Sequence, residues 1–188
     1  LVTEEDIEER KRYMAIVEEN NDLLLQLISD ILDLSKIEAG TFNFVTGEID
    51  VNQMCHEIIN SLQLKVSSQV ELRFEEHLPR CIIVADKNRL TQVITNFINN
   101  AIKFTSEGSI CIGYDQIDES HLRFYVSDTG IGIEKEKQAE IFERFVKLNS
   151  FVHGTGLGLP ISKSIIKQMG GTIGIDSEPV SYTHLRAH

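Results

Sequence analysis

The segment N-F-I-N-N-A-I-K-F-T runs from Asn96 to Thr105 and sets Asn96, Asn100 and Lys103 at i, i+4 and i+7, on one face of a helix. Asparagine is a poor helix former. Asn96, Asn99 and Asn100 each carry a penalty of about a few tenths of a kcal/mol there. A face that is merely wet does not require that penalty, so the amides are read as having a task. Amides and an ammonium suit phosphate and a hard cation. Mg²⁺ keeps several waters, so one side-chain amide plus phosphate oxygens is enough to hold it.

Three further motifs follow in order. D-T-G-I-G, Asp128 to Gly132, ends an apolar strand. A carboxylate at a pocket mouth accepts a hydrogen bond from an exocyclic amine that guanine lacks at that position, so Asp128 is the natural adenine reader. Gly130 and Gly132 let the backbone turn and approach the base. The competing reading is an ordinary turn, since D-x-G is common. I-F-E-R-F, Ile141 to Phe145, reads as a short helix or lid. Its aromatics, three apart, are also core candidates. Arg144 and Lys147 are within reach of a polyphosphate if the lid closes. G-T-G-L-G-L, Gly154 to Leu159, opens a helix and presents free N–H groups and a positive dipole end to an anion. It lacks the G-K-[ST] of a Walker A loop. It also lacks the strand that precedes a dinucleotide fingerprint. In this order the four motifs supply what Mg-ATP needs.

The quartet resembles the N, G1, F and G2 boxes of sensor histidine kinases of two-component systems. The stretch L-I-S-D-I-L-D-L-S-K-I-E-A-G, Leu27 to Gly40, resembles the end of the second helix of their dimerisation domain. The resemblance implies an α/β two-layer sandwich of the Bergerat ATP-binding type, preceded by a long helix from a dimerisation four-helix bundle. It implies that Asn100 is the direct metal ligand, Asn96 supports the metal and phosphate region, and Lys103 meets the phosphate chain. Asn100 and Lys103 are therefore the expected catalytic pair. Asn96, Asp128, Gly130, Gly132, Arg144, Gly154, Thr155, Gly156, Leu157, Gly158 and Leu159 complete the expected nucleotide site. The family's acceptor block, H-E-x-R-T-P-L, is not in this sequence. His56-Glu57 copies only its first pair, and His153 lies beside the last glycine motif.

Around these motifs, residues 4–37 read as one helix. Ile7, Met14, Val17, Leu24, Ile28 and Ile31 form a seam at three-four spacing, with Asn21 on it. Leu25, Leu27, Leu32 and Leu34 widen the stripe, so the helix needs partners, and Gly40 stops it. Residues 1–9 resemble the link from an absent acceptor helix. Phe42, Phe44 and Ile49 to Val51 suggest extended segments about a turn at Gly47. Asp50 is placed to cap a helix to about Val66. Strands are expected at Val70–Phe74 and Cys81–Val84. Asp86 caps a helix at Lys87–Phe104, and a hairpin joins Ser109–Tyr114 to Leu122–Ser127 near Asp118 to Ser120. A helix at Gly158–Met169 is ended by Gly170-Gly171, and a strand follows at Thr172–Ile175. Val180 to His188 read as a translated sequencing adapter. The expected units are thus 1–40 (second dimerisation helix), 41–179 (ATP-binding domain) and 180–188 (non-native tail). Excluding the tail leaves the sheet short of an edge or central strand.

The chain has 188 residues, 41% hydrophobic and 25% charged, room for one medium domain and a small appendage. It starts at Leu1, which reads as a fragment. Net charge is −11, of which residues 1–39 carry −7 from eleven acidic and four basic side chains. That charge disfavours nucleic acid. No run approaches the roughly 20 apolar residues of a membrane helix. Cys55, Cys81 and Cys111 form no C-x-x-C pair and read as buried free thiols in a reducing compartment.

The function expected is the ATP-binding catalytic fragment of a cytoplasmic histidine kinase, with the parent open to inner-membrane anchoring. The parent would phosphorylate its own histidine and relay the group to a response-regulator aspartate, as a homodimer through its helical bundle. Two alternatives stand beside this. Gyrase-, chaperone- or mismatch-repair-type ATPases use a glutamate on the first-motif helix, and Thr91 to Asn96 contain none. A non-catalytic nucleotide-sensing dimerisation module is the other.

Overall fold

The computed structural model describes residues 4–146, 154–178 and 181–187. Its elements are α1 (Glu4–Glu38), β1 (Gly47–Asp50), α2 (Val51–Leu62), β2 (Val70–Glu75), β3 (Ile82–Ala85), α3 (Lys87–Phe104), β4 (Gly108–Gln116), β5 (Leu122–Asp128), α4 (Gly158–Gln168), β6 (Ile173–Glu178) and β7 (Ser181–Ala187). Short 3₁₀ turns follow α2 and lie at Lys135–Lys137 and Glu140–Phe142.

The main sheet runs β2-β4-β5-β7-β6, parallel at β2–β4 and antiparallel elsewhere. A separate two-stranded sheet pairs β1 with β3. Strand alternation decides the layers. Ile110, Ile112, Tyr114 and Val126 turn inward and are buried, as are Val70 and Leu72. They meet α2, α3 and α4 through Met54, Ile58, Phe97, Ile98, Ile161 and Ile165. The other face carries Arg73, Glu75, Asp115 and Arg123, joined as ion pairs. This is the expected two-layer sandwich, with helices on one face and a wet polar face opposite.

Local chemistry sets the helix starts. The Asp50 side chain accepts a hydrogen bond from the backbone N–H of Gln53, capping α2. Asp86 works twice: Oδ1 accepts from the N–H of Arg89 at 3.0 Å, and Oδ2 accepts from the N–H of Val45 at 2.8 Å. Burial alone would raise its pKa. The N–H groups of Val45, Arg89 and Asn88 outweigh that and hold it below the usual carboxylate value. Asp86→Ala is therefore expected to destabilise the fold by about 1–2 kcal/mol. Because the folded pKa is the depressed one, this contribution is complete above the unfolded carboxylate range and is lost as pH falls through the folded value. Denaturant curves of both proteins at neutral and acidic pH check this, since the gap between them must close on the acid side.

Several expectations are corrected in detail. Gly47 begins β1 instead of forming a turn, because residues 47–50 pair with 82–85. The α-helix after Asp50 ends at Leu62, and the chain continues to Lys65 as a 3₁₀ turn. Residues 4–9, which resemble the family's link, are helical, within the helix expected over residues 4–37. The backbone of Ser181–Ala187 occupies the slot between β5 and β6 that exclusion of the tail would leave empty. Gly40, at φ 65°, and Gly170, at φ 82°, end α1 and α4 as expected. Cys55, Cys81 and Cys111 are buried free thiols. Burial pushes the Cys55 thiol up to about 12, aided by neighbouring Cys81, and Cys111 up to about 11.

All six seam residues of α1, from Ile7 to Ile31, are exposed, between 46% and 66%. Its opposite side is covered, with Leu27, Leu34 and Ile37 packed on the core. No helix among the described residues is long and apolar enough to cross a membrane.

Candidate functional site

A cavity of about 1080 Å³ opens where α3, the corner after β5 and the start of α4 converge. Small-molecule sites commonly measure roughly 300–1,000 Å³, so this space is ample for a nucleotide with its hydration. Asn96, Asn100 and Lys103 line it from α3, and Asp128 lines it from the end of β5. Gly132, Gly154, Thr155, Gly156, Gly158 and Leu159 line it too. The helical face and the glycine corner that look independent in the sequence therefore share one enclosure.

Each position has a local cause. Asp128 is the last residue of β5 and points to the helical side of the sheet, where it is 8% exposed. Its Oδ1 accepts from the N–H of Gly130 at 2.8 Å, which fixes the plane of the carboxylate. Gly130 does not line the cavity. Its role is close approach: a Cβ there would lie 2.5 Å from the carbonyl oxygen of Phe104. The N–H of Ile131 donates to that same carbonyl, which locks the corner onto the end of α3. Gly132 has φ 68°, a conformation that suits glycine.

The glycine loop is assembled from three sides. The Lys103 ammonium lies 3.4 Å from where a Cβ on Gly154 would stand. Gly156 has φ 71°, and its carbonyl accepts from the N–H of Phe145. Phe145 itself has φ 62°, an uncommon conformation for an aromatic residue, and it is exposed. Phe142 packs on the core, with the Lys163 ammonium 5.5 Å above its ring. Leu157 is fully buried, so only its backbone serves the loop. Its N–H donates to Thr155 Oγ1 at 3.2 Å.

Asn96 has a second task. Its Nδ2 donates to Ser162 Oγ on α4 at 2.9 Å, and its amide fills the space above Gly158. A Cβ on Gly158 would come within 2.4 Å of that amide. Gly158→Ala is expected to cost about 1–3 kcal/mol through overpacking. It should also displace Asn96 and weaken nucleotide binding. Equilibrium unfolding and a nucleotide titration of the variant read both effects.

Among the described residues, no cluster of three or more His, Cys, Asp or Glu side chains is arranged to hold a metal. A cation here must rely on an amide, on ligand oxygens and on water, which is what Mg²⁺ tolerates. The Asn100 amide fits that role. Arg144 is not on the cavity wall, because its guanidinium is paired with Glu38 of α1. Lys147 and His153 lie outside the described residues. His56, on α2, packs edge-on against Phe74 of β2, at 5.1 Å between ring centroids, and does not line the cavity.

One wall was not anticipated. Asp22, Gln26 and Asp30 of α1 close the cavity on the side facing the glycine loop. Asp30 is 3% exposed and Asp33 is 7% exposed. The available signal was two carboxylates three apart inside the apolar run I-S-D-I-L-D-L.

The sequence profile of the family described as "Histidine kinase-, DNA gyrase B-, and HSP90-like ATPase" matches residues 85–188. The chain is 34% identical to the circadian input-output histidine kinase CikA of Synechococcus elongatus, over 90% of this chain and 24% of CikA. It is 38% identical to the sensor histidine kinase RcsC of Escherichia coli, over 89% of this chain and 18% of RcsC. The chain thus spans a quarter or less of the length of these relatives. Among solved structures, full-length ShkA in complex with AMPPNP superimposes with a TM-score of 0.82 at 30% identity, covering 95% of this chain and 38% of ShkA. The catalytic domain of the histidine kinase ThkA gives 0.68 at 26% identity, over 77% of this chain and 95% of that domain. With its profile matched across more than half its length and its four motifs gathered on one cavity, the chain belongs to the family of histidine kinase-, DNA gyrase B- and HSP90-like ATPases.

Proposed function

We propose that this chain is the ATP-binding catalytic part of a sensor histidine kinase, joined to the second helix of its dimerisation domain. The observation that carries the reading is the shared enclosure of Asn100, Lys103 and Asp128. Asp128 accepts the exocyclic amine of adenine, and Gly132 lets the base lie close to the backbone. Lys103 meets the phosphate chain, and the N–H groups at the start of α4 receive phosphate oxygens. Asn100 holds Mg²⁺, with Asn96 in support. The metal, when bound, neutralises charge on the polyphosphate. Phosphoryl transfer depends mainly on positioning and charge neutralisation, which these groups supply.

The parent protein transfers the γ-phosphoryl group to a histidine and then to a response-regulator aspartate. The exposed seam of α1 supports a homodimer through a helical bundle, since that much apolar surface calls for burial. ATP and a receiver domain are the partners, and the fragment works in the cytoplasm. The hydrolytic alternative is weaker, because α3 carries no glutamate from Lys87 to Phe104. The test is calorimetric titration of the 188-residue chain with ATP and GTP, with and without Mg²⁺. Magnesium-dependent binding that prefers ATP is expected, and absence of binding to either nucleotide sinks the proposal.

A further inference from the structure

Helix α1 is fastened to the nucleotide cavity by carboxylates. Asp30 Oδ2 accepts a hydrogen bond from Thr155 Oγ1 at 2.7 Å, and Oδ1 accepts from Gln26 Nε2 at 2.7 Å. One turn on, Asp33 accepts from Arg89 Nη1 at 3.2 Å and from Gln92 Nε2 at 2.8 Å. At the end of the helix Glu38 pairs with Arg144. Two of these three attachments hold the lid segment and the glycine loop, the parts that must adapt to a nucleotide.

The Asp30 contact has a particular geometry. Helix α4 starts with no side-chain cap. The N–H of Leu157 donates to Thr155 Oγ1, and that hydroxyl donates to Asp30. A carboxylate of α1 thus stands, through one hydroxyl, at the helix start that would otherwise attract a phosphate. Asp30 also lines the cavity, and Asp22 lies two turns earlier on the same wall. A triphosphate in the cavity brings several negative charges beside Asp30, and like charges in a partly enclosed space repel.

Resting on the nucleotide reading above, we propose that Asp30 is a built-in competitor of the nucleotide's phosphates, so that docking of α1 and binding of ATP oppose each other. ATP then loosens α1 from the glycine loop, and a helix held against the loop lowers affinity for ATP. The coupling is reciprocal, as linkage requires. Its carrier is charge, so it acts on phosphates and not on the nucleoside.

The experiment titrates the 188-residue chain and its Asp30→Asn variant with Mg-ATP and with adenosine, which carries no phosphate. Asparagine keeps the size of the side chain and removes its charge. The ratio of ATP affinity to adenosine affinity is expected to rise about tenfold in the variant, a typical size for such coupling. In the unaltered chain, saturating Mg-ATP should speed amide hydrogen exchange over residues 26–33, and adenosine should not. This second arm does not depend on the variant folding. If adenosine binds but the affinity ratio and the exchange rates stay the same, the competition is refuted while the cavity remains a nucleotide site. If neither compound binds, the nucleotide reading falls and takes this inference with it.

Discussion

Replacing Asn100 by aspartate is expected to weaken Mg-ATP binding by roughly 30- to 100-fold, about 2–3 kcal/mol. The argument rests on charge at nearly constant shape. Asn100 projects from α3 into the cavity beside Lys103. An amide oxygen can face a cation without repelling the polyphosphate that carries it. A carboxylate there adds a negative charge a few ångströms from the phosphates, in a space partly shielded from water. It also removes an N–H donor. Position 100 is half-buried, so the variant should fold, with a thermal midpoint close to that of the parent. Calorimetry in the presence and absence of Mg²⁺ provides the check. An affinity that stays within about twofold, a few tenths of a kcal/mol, would show that this amide does not meet the metal-phosphate region.

Asp128→Ala should abolish the preference for ATP over GTP, with loss of ATP affinity of about 10- to 100-fold, the scale of a hydrogen bond to a charged group. Asp128 is buried, and Gly130 orients its carboxylate. A fixed acceptor rejects a base that offers no donor at that position, because the acceptor would be left desolvated and unpaired. Alanine removes both the attraction and the penalty. ATP affinity should therefore fall while GTP affinity rises, so that the two converge. Competition between the two nucleotides for one fluorescent analogue measures this. A variant that still discriminates would move the base-reading role to another residue.

Much of the fold was legible because its signals are local. Asp86 before an amphipathic run, and Gly170 after one, mark helix ends by backbone hydrogen bonding and by φ, and both act within a few residues. Alternation in residues 108–128 gave the hairpin, with Asp118 accepting from the N–H of Ser120 in its turn. Gly47 was misread because a glycine between polar residues looks like a turn. Its strand state comes from pairing with Ala85, far along the chain. The site was legible as residue types, not as contacts. Nothing near Gly158 in sequence tells that its missing side chain makes room for Asn96, or that Asn96 reaches Ser162.

The sequence by itself determined the order of elements, the apolar seam of α1, and the set of amides, carboxylate, ammonium and glycines suited to a nucleotide. These follow from periodicity, capping and side-chain chemistry, which act over a few residues or belong to single side chains. Only the tertiary structure decided that Asp128 and Asn100 face one cavity, that Arg144 turns to Glu38, and that Asp30 holds Thr155. Those juxtapositions bring together residues 28, 106 and 125 positions apart, and they exist only once burial of the core has fixed where α1, α3 and the glycine loop meet. Until the layers are packed, a carboxylate in an apolar helix stripe has no stated partner, and its charge has no direction in which to act.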